Sequence, residues 1–586
     1  MSAQGQIPRN DANDPVRLAI AASRPLVVSA FLFSAVMSIL ALTTSFYMLQ
    51  VYDRVLSSRS NETLILLTVI AAVALAVFAV LDSLRSRLLA RIGMRVADRL
   101  SAQVLRAMIA TSSQNSGHTM RSGLRDVETI RGFLGSPGFG ALLDAPFIVV
   151  YFVVLFLLSP WFVLVVLVGG ALLVGIALLN QRLTNPTLTR AIQLGARAQT
   201  FADDGLRNAD VLEGMGMSQI FTERWRKSWL ESLAMGTEAA DRDSRLSSTS
   251  RGVRLAIQVL LLGTGALLLL DFQATGGIMI GASIIGARAL APIETLVSTW
   301  KTIIAVRLAR ERIAKLLAQS PKRDEGMRLP SPSGRLQVNG LAYTLPGTRR
   351  MVLSGIAFDL LPGESLGIVG PSAAGKSTLV RLLVGAWPCT SGAVRLDGAD
   401  IYAWPRGELS RHIGYLPQDV ELFAGSVREN IARLDEGEPD AVVRAAQRAG
   451  AHEMILGLPK DYNTEIGDYG HNLSGGQSQR IGIARALYGD PRYIVLDEPN
   501  SNLDGLGEQA LLETLNQLKR DGVTVIVVAH RPSILQTVDK MLVLKANGAM
   551  ETFGPRAEVM AKYAARPAPK PQANVVTLSP GSGMPS

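Results

Sequence analysis

Four stretches of this chain are long, apolar and free of charge: Pro25 to Tyr52, Thr63 to Leu81, Ala145 to Gln181 and Leu255 to Leu270 contain no Asp, Glu, Lys or Arg. A helix rises about 1.5 Å per residue and a bilayer's hydrocarbon core is about 30 Å thick, so the first two stretches each suit one membrane-spanning helix. The third would reach about 55 Å, which predicts two helices joined at Ser159-Pro160. Leu255 to Leu270 is short, about 24 Å, but Arg254 at its edge can extend its guanidinium to the interface. A sixth helix is expected from Gly276 through Gly281, Ala282 and Ile284 towards Ile293, interrupted by Arg288. The first run is far longer than the apolar segment of a cleaved signal peptide, and therefore reads as a retained span.

Charge between the runs orients them. Arg85 to Arg131 is dense in arginine (Arg87, Arg91, Arg95, Arg99, Arg106), and so is Arg182 to Arg254 (Arg197, Arg207, Arg224, Arg226, Lys227). The turn at Ser159-Pro160 carries no charge and the connection after Leu270 only Asp271. The positive-inside rule then puts both arginine-rich connections, and both ends of the six-helix set, in the cytoplasm. Leu84, Leu88, Ile92, Val96 and Leu100 keep helical spacing, so the connections are expected to prolong the membrane helices. A net charge of +10 is compatible with nucleic acid or an anionic membrane surface. Arginines placed beside apolar runs favour membrane lipid and no nucleic acid. The single cysteine, Cys389, excludes an intramolecular disulfide.

From about Arg335 the pattern changes to short apolar strands (Ser365 to Val369, Tyr493 to Leu496, Thr524 to Val528) alternating with helical stretches, the sign of a parallel α/β sheet. The expected organisation is a flexible segment over 1–24, a six-helix transmembrane domain over 25–320, an α/β phosphate-loop nucleotide-binding domain over 335–563, and a disordered Pro/Ala/Ser-rich tail over 564–586.

Within the second domain, Gly370-Pro371-Ser372-Ala373-Ala374-Gly375-Lys376-Ser377-Thr378 matches the phosphate-binding loop, with a strand before it and a helix after. Glycines let successive backbone N–H groups turn inward around phosphate oxygens, and the helix adds its positive N-terminal end. Lys376 is placed to reach the β- and γ-phosphates of ATP and Ser377 to ligate Mg²⁺. Tyr493-Ile-Val-Leu-Asp497-Glu498 is an apolar strand ending in two carboxylates. Asp497 is placed to support the metal, and Glu498 to orient or deprotonate the attacking water.

Further motifs resemble one family, the ABC transporters. Leu473-Ser474-Gly475-Gly476-Gln477 resembles the signature, Gln418 in Tyr415-Leu-Pro-Gln-Asp the Q-loop, Ser501-Asn-Leu-Asp504 the D-loop, and His530 the switch histidine. Thr464-Glu-Ile-Gly467-Asp468 resembles the exporter segment that contacts the membrane domain. The resemblance implies that Ser474 and Gly476 contact the γ-phosphate held by a second subunit, that Gln418 senses Mg²⁺ and water, and that His530 contacts the γ-phosphate. One cassette per chain then implies a homodimer. An aromatic residue usually stacks on adenine; alignment puts that place at Leu345, with Tyr343 two residues back as the alternative.

The membrane half resembles the type I secretion exporters of the PrtD-like group at Tyr47-Met-Leu-Gln-Val-Tyr-Asp53-Arg54-Val-Leu56, at Ala209-Asp-Val-Leu-Glu-Gly-Met-Gly216 and from Met279 to Glu294; Pro499 to Asp504 follows the same group. The resemblance implies a Gram-negative inner membrane, export of unfolded proteins carrying C-terminal signals, and a periplasmic adaptor and outer-membrane channel as partners. About 24 residues precede the first helix and the one cysteine lies in the cassette, so no leader-peptide cleavage by a thiol peptidase is expected. Arg288 is expected either to line a water-filled path or to snorkel from an early helix end. Arg125 to Phe133 and Leu206 to Met217 are expected to couple the two domains. A lipid or drug exporter of the same fold, and a soluble nucleic-acid ATPase, are the competing readings.

Overall fold

The computed structural model describes residues 15–112, 123–320, 329–348, 350–467 and 473–564. Two compact units result, one holding Ser116–Pro321 and what precedes Ser113, the other holding Lys322–Ser586.

The first unit is helical. Among the described residues six segments are long and apolar enough to cross a membrane: Arg24–Ser58, Asn61–Ser112, Pro137–Leu158, Pro160–Arg207, Ser218–Leu270 and Gly276–Ser298, called here the first to sixth spans. The apolar run from Ala145 to Gln181 divides as the sequence predicts: Ser159 is extended, caps the fourth span by accepting from the Trp161 N–H, and Pro160 takes the first turn. The second, fourth and fifth spans run to 52, 48 and 53 residues, far beyond their uncharged cores, so the arginine-rich connections are continuations of helix. Outside the core they pack by apolar stripes: Leu89, Ile92, Val96, Leu100 and Val104 meet Val127, Ile130 and Leu134 of the helix Gly123–Leu134 and Ile313 of Trp300–Gln319.

Several expectations change. Residues 1–14 lie outside the described residues, but Pro15–Ala21 is helix with Val16 and Ala19 buried, so the N-terminal segment is not flexible throughout. The first span is not one uniform helix. It tightens at Ala41-Leu42 and widens into a π-helix over Val51–Val55, within the motif Tyr47 to Leu56. One extra residue per turn there turns Asp53 towards the sixth span, where it accepts from the Thr275 hydroxyl (2.5 Å) and the Gly277 N–H (2.9 Å). The sixth span continues unbroken through Arg288 to Ser298, so an early helix end is ruled out. The stretch Arg125 to Phe133, expected to couple domains, buries Val127, Ile130 and Phe133 within its own unit. Its Asp126, 3% exposed, receives both Nε (2.8 Å) and Nη2 (2.6 Å) of Arg312. Leu206 and Met215 in the other expected segment are 75% and 72% exposed.

Among the described residues the second unit has a six-stranded sheet, a four-stranded sheet and a two-stranded pair. Six strands run in the order Met550–Pro555, Lys540–Leu544, Ser365–Val369, Thr524–Val528, Tyr493–Asp497, Ile413–Leu416, all parallel except the first pair. Their central members are continuous apolar runs because both faces are covered, as parallel sheets require. A second, antiparallel sheet orders Met351–Leu360, Leu336–Thr344, Ser391–Leu396 and Ala399–Asp400. Glu465–Ile466 pairs with Gly425–Ser426; Asp468 of the exporter segment and the tail from 565 lie outside the described residues.

Candidate nucleotide site

The carboxyl ends of neighbouring parallel strands assemble the site, the usual location for ligands in open α/β sheets. Val528 is in register with Ile368 on one side and Asp497 on the other. The loop after Val369, the pair Asp497-Glu498 and His530 therefore emerge side by side.

The phosphate loop, Gly370, Pro371, Ser372, Ala373, Ala374 and Gly375, turns through two left-handed residues, Ala373 (φ +63°) and Gly375 (φ +88°). Such backbone presents successive N–H groups to one point. At Gly375 a side chain would be strained by φ and would also meet Leu353 Cδ2 at 2.9 Å. The helix Lys376–Leu383 follows, with Ser377 and Thr378 in its first turn. Lys376 is 8% exposed, and its ammonium donates to the Gly370 (2.9 Å) and Pro371 (3.0 Å) carbonyls, so the cation is already held over the loop.

Around it lies a chain of polar contacts. The Ser377 hydroxyl donates to Gln418 Oε1 (3.3 Å), the Gln418 amide donates to Glu498 Oε2 (3.4 Å), and His530 Nε2 stands 3.4 Å from Glu498 Oε1. These are long, weak links, easily exchanged for contacts to a ligand. Glu498 sits at φ +51°, rare for a side chain of its kind, and its N–H donates to the Val528 carbonyl at 3.0 Å. That bond to the neighbouring strand, directly after the buried strand Tyr493–Asp497, holds the strained residue in place.

Asp497 is 2% exposed, and its Oδ1 has no hydrogen-bond partner. Burial pushes its carboxyl above the ordinary Asp range; the Ser377 hydroxyl opposes this and the neighbouring Glu498 carboxylate adds to it. An orphaned buried carboxylate oxygen beside the Ser377 hydroxyl and the Gln418 amide oxygen fits a hard divalent cation with oxygen ligands. Among the described residues no three His, Cys, Asp or Glu side chains cluster as a metal cage. Magnesium's habit of using one carboxylate plus phosphates matches that sparse set.

The predicted signature residues form a second group. Ser474 caps the helix Gly475–Leu487: its hydroxyl accepts from the Gln477 N–H (3.3 Å) and the Gln477 side chain accepts from the Ser474 N–H (2.8 Å). The spacing Ser-x-x-Gln is the sequence signal for this reciprocal cap. Gly475 and Gly476 lie against Asn502, itself left-handed at φ +64°; a Cβ on Gly476 would stand 2.8 Å from the Asn502 carbonyl oxygen. Asp504 caps the next helix through the Gly507 N–H (2.8 Å) and pairs with Arg480 (2.8 Å). Sequence reasoning missed Gln479, whose buried amide donates to the Pro499 carbonyl (3.0 Å) and fixes the loop from Pro499 to Asp504. Among the described residues no hydrogen bond joins this second group to the phosphate loop of the same chain.

Tyr343 is corrected as an adenine platform. It is 3% exposed, with its ring stacked on Trp387 at 5.2 Å in the core. The register of its strand shifts on both sides of Tyr343, which breaks the simple alternation relating it to Leu345. Leu345 is 39% exposed.

Comparison with known proteins follows the same division. The family model for the ABC transporter matches residues 353–501, and that for the ABC transporter transmembrane region matches 27–285. The chain is 41% identical over 530 residues to the type I secretion system ATP-binding protein PrsD of Rhizobium meliloti (strain 1021), covering 90% of this chain and 91% of that one. It is 31% identical to the cyclolysin secretion/processing ATP-binding protein CyaB of Bordetella pertussis (strain Tohama I / ATCC BAA-589 / NCTC 13251), covering 91% and 76%. Among solved structures, a bacterial Atm1-family ABC exporter with ATP bound superposes with a TM-score of 0.77 at 22% identity, over 92% of this chain and 97% of that one, a likeness of fold.

Proposed function

The chain belongs to the ABC transporters of type I secretion systems, and from that premise we propose that it works as a homodimer that exports unfolded polypeptides across a Gram-negative inner membrane. That it is a multi-pass membrane ATPase for protein secretion follows from the family. The finer reading rests first on the split within the cassette. Ser474, Gly475 and Gly476 are held by their own cap and by Asn502, and among the described residues no hydrogen bond joins them to the phosphate loop of their own chain. A second copy then supplies each loop with its signature, and two equivalent sites result.

In this reading the loop Gly370 to Gly375 holds the β- and γ-phosphates through backbone N–H groups, and Lys376 moves from the loop carbonyls onto the phosphates. Ser377, Gln418 and Asp497 would hold Mg²⁺, whose chemistry here is to neutralise charge developing on the phosphoryl oxygens. Glu498 orients the attacking water and takes its proton. His530, 3.4 Å from Glu498 Oε1, is placed to steady the carboxylate and to donate to the γ-phosphate. Leu345 provides an aliphatic contact for adenine.

Nucleotide binding closes the two cassettes, and the long helices carry that closure to the spans. The exposed segment Leu206 to Met217 is the coupling surface. Arginine placement puts both termini in the cytoplasm. The relatives' names add a secreted substrate, and a periplasmic adaptor and an outer-membrane channel complete the path. The test is deletion of the chain, identification of the protein that vanishes from the culture medium, and complementation. Wild type is expected to restore that protein and Glu498→Gln is not. An unchanged set of secreted proteins, with lipid flipping lost instead, overturns the reading.

A further inference from the structure

Inside the membrane unit, a cavity of about 420 Å³ collects charged groups that the nucleotide chemistry does not use. Its walls come from the first, second, third and sixth spans and include Ser38, Asp82, Arg85, Asp144, Tyr151 and Arg288. Two arginines face two aspartates, so the cavity is neutral by count. The pairing is uneven. Arg85 takes both carboxylates, Asp144 at 2.7 Å and Asp82 at 3.0 Å, and donates a further hydrogen bond to Ser34 at 3.2 Å. Arg288, exposed in the single chain, makes no ion pair or hydrogen bond among the described residues. One guanidinium therefore remains with its donors unclaimed, in a setting where an isolated charge is costly and is kept for function.

The cavity's depth says when a ligand would meet it. Asp82 directly follows the uncharged run Thr63 to Leu81, and Arg288 lies about 18 Å along the sixth span from Gly276. With the termini in the cytoplasm, the cavity lies in the inner half of the spans, between mid-depth at Arg288 and the inner boundary at Asp82. We propose that Arg288 is a carboxylate-reading residue in the inner half of the spans, which seats an acidic side chain of the polypeptide on its way in from the cytoplasm. The inference rests on the protein-export reading and adds a chemical preference to it. A phospholipid headgroup is the poorer occupant. Its glycerol and acyl chains would lie against Asp82 and Asp144, whereas an extended peptide brings its own polar backbone past these charged walls. The volume suits one or two side chains, being at the small end of the ~300–1,000 Å³ range of ligand pockets.

The test uses the full chain in nanodiscs and two fluorescent peptides, a short Gly/Asp peptide and its Gly/Asn counterpart, read by anisotropy. Wild type is expected to bind the Asp peptide about tenfold more tightly, the size of one charge-assisted contact. Arg288→Ala should bring the ratio near unity and Arg288→Lys should keep most of it, with basal ATP turnover unchanged in both as the check on folding. An equal preference in wild type and Arg288→Ala overturns the proposal. So does an Arg288→Ala effect confined to the dependence on anionic phospholipid, which would make a lipid phosphate the occupant. Polypeptide export is measured in parallel in proteoliposomes. Export without discrimination overturns the Arg288 assignment alone; no export of any polypeptide overturns the function beneath it as well.

Discussion

The strand Tyr493–Asp497 and the second span's run Thr63 to Leu81 are both uncharged and apolar up to their last residues, yet the structure treats them in opposite ways. All five strand residues are buried, and even the Tyr493 hydroxyl finds a carbonyl, that of Leu383, at 3.2 Å. The span buries none of its most apolar window: Ile65 is 64% exposed, Leu66 61% and Val73 60%. Length decides the difference. Five residues can be covered on both faces by a domain's own helices, whereas nineteen in one helix present apolar surface all round, which only neighbouring helices and lipid can cover. The strand's burial serves precision, because the two carboxylates at its end must meet Ser377, Gln418 and His530 within a few ångströms. The span's exposure serves a lipid boundary and tolerates looser fitting.

Changes at the nucleotide end should have the largest effects. Lys376→Ala removes the cation poised over the phosphate loop, and ATP turnover is expected to fall by about a hundredfold or more. A turnover within a few-fold of wild type would break the assignment. The comparison of strand and span is tested directly by the same substitution in both. Leu496→Ala, at a position 1% exposed, should cost about 2–5 kcal/mol, and Leu66→Ala under about 1 kcal/mol, measured by thermal unfolding in detergent. Equal costs would mean that the span is packed against protein. Leu345→Tyr should tighten nucleotide binding about two- to tenfold by adding a ring to stack on adenine, while Tyr343→Leu should leave affinity unchanged and lower stability through the lost Trp387 contact. The smallest effect concerns pH. Burial raises the Asp497 pKa, and a proton there competes with Mg²⁺, so the Mg²⁺ concentration for half-maximal turnover should rise on acidification. The rise should begin at a higher pH than an ordinary Asp would give; a flat response would show that Asp497 is not a ligand.

What the sequence revealed, and what it hid, follows the range of the interactions. Runs and fixed spacings are local, so the six spans, the break at Ser159-Pro160, the phosphate loop and the strand ending in Asp497-Glu498 could be read directly. The clustering of Gln418, Glu498 and His530 was legible only through family motifs, since it depends on strand order in the sheet. Tyr343 was misjudged because its ring is taken into the core against Trp387, a tertiary contact that its place in the sequence does not announce. Arg125 to Phe133 spends its apolar stripe on the second span and on Trp300–Gln319, a tertiary choice that periodicity does not announce. The π-helical turn that brings Asp53 to the start of the sixth span joins residues 222 positions apart, beyond any local rule. The reciprocal cap of Ser474 and Gln477 is local, yet these residues were taken only as part of the signature, and the structure supplied the cap.

In the proposed mechanism Glu498, held at a left-handed backbone angle between Gln418 and His530, is the residue that activates water at the phosphate loop. The most direct measurement is Mg²⁺-dependent ATP turnover by the purified full chain in lipid, with Glu498→Gln compared against wild type and nucleotide binding followed in parallel. The variant is expected to bind ATP as wild type does and to hydrolyse it about 10²–10⁴-fold more slowly. Undiminished turnover in the variant would contradict the mechanism and move the base to another group.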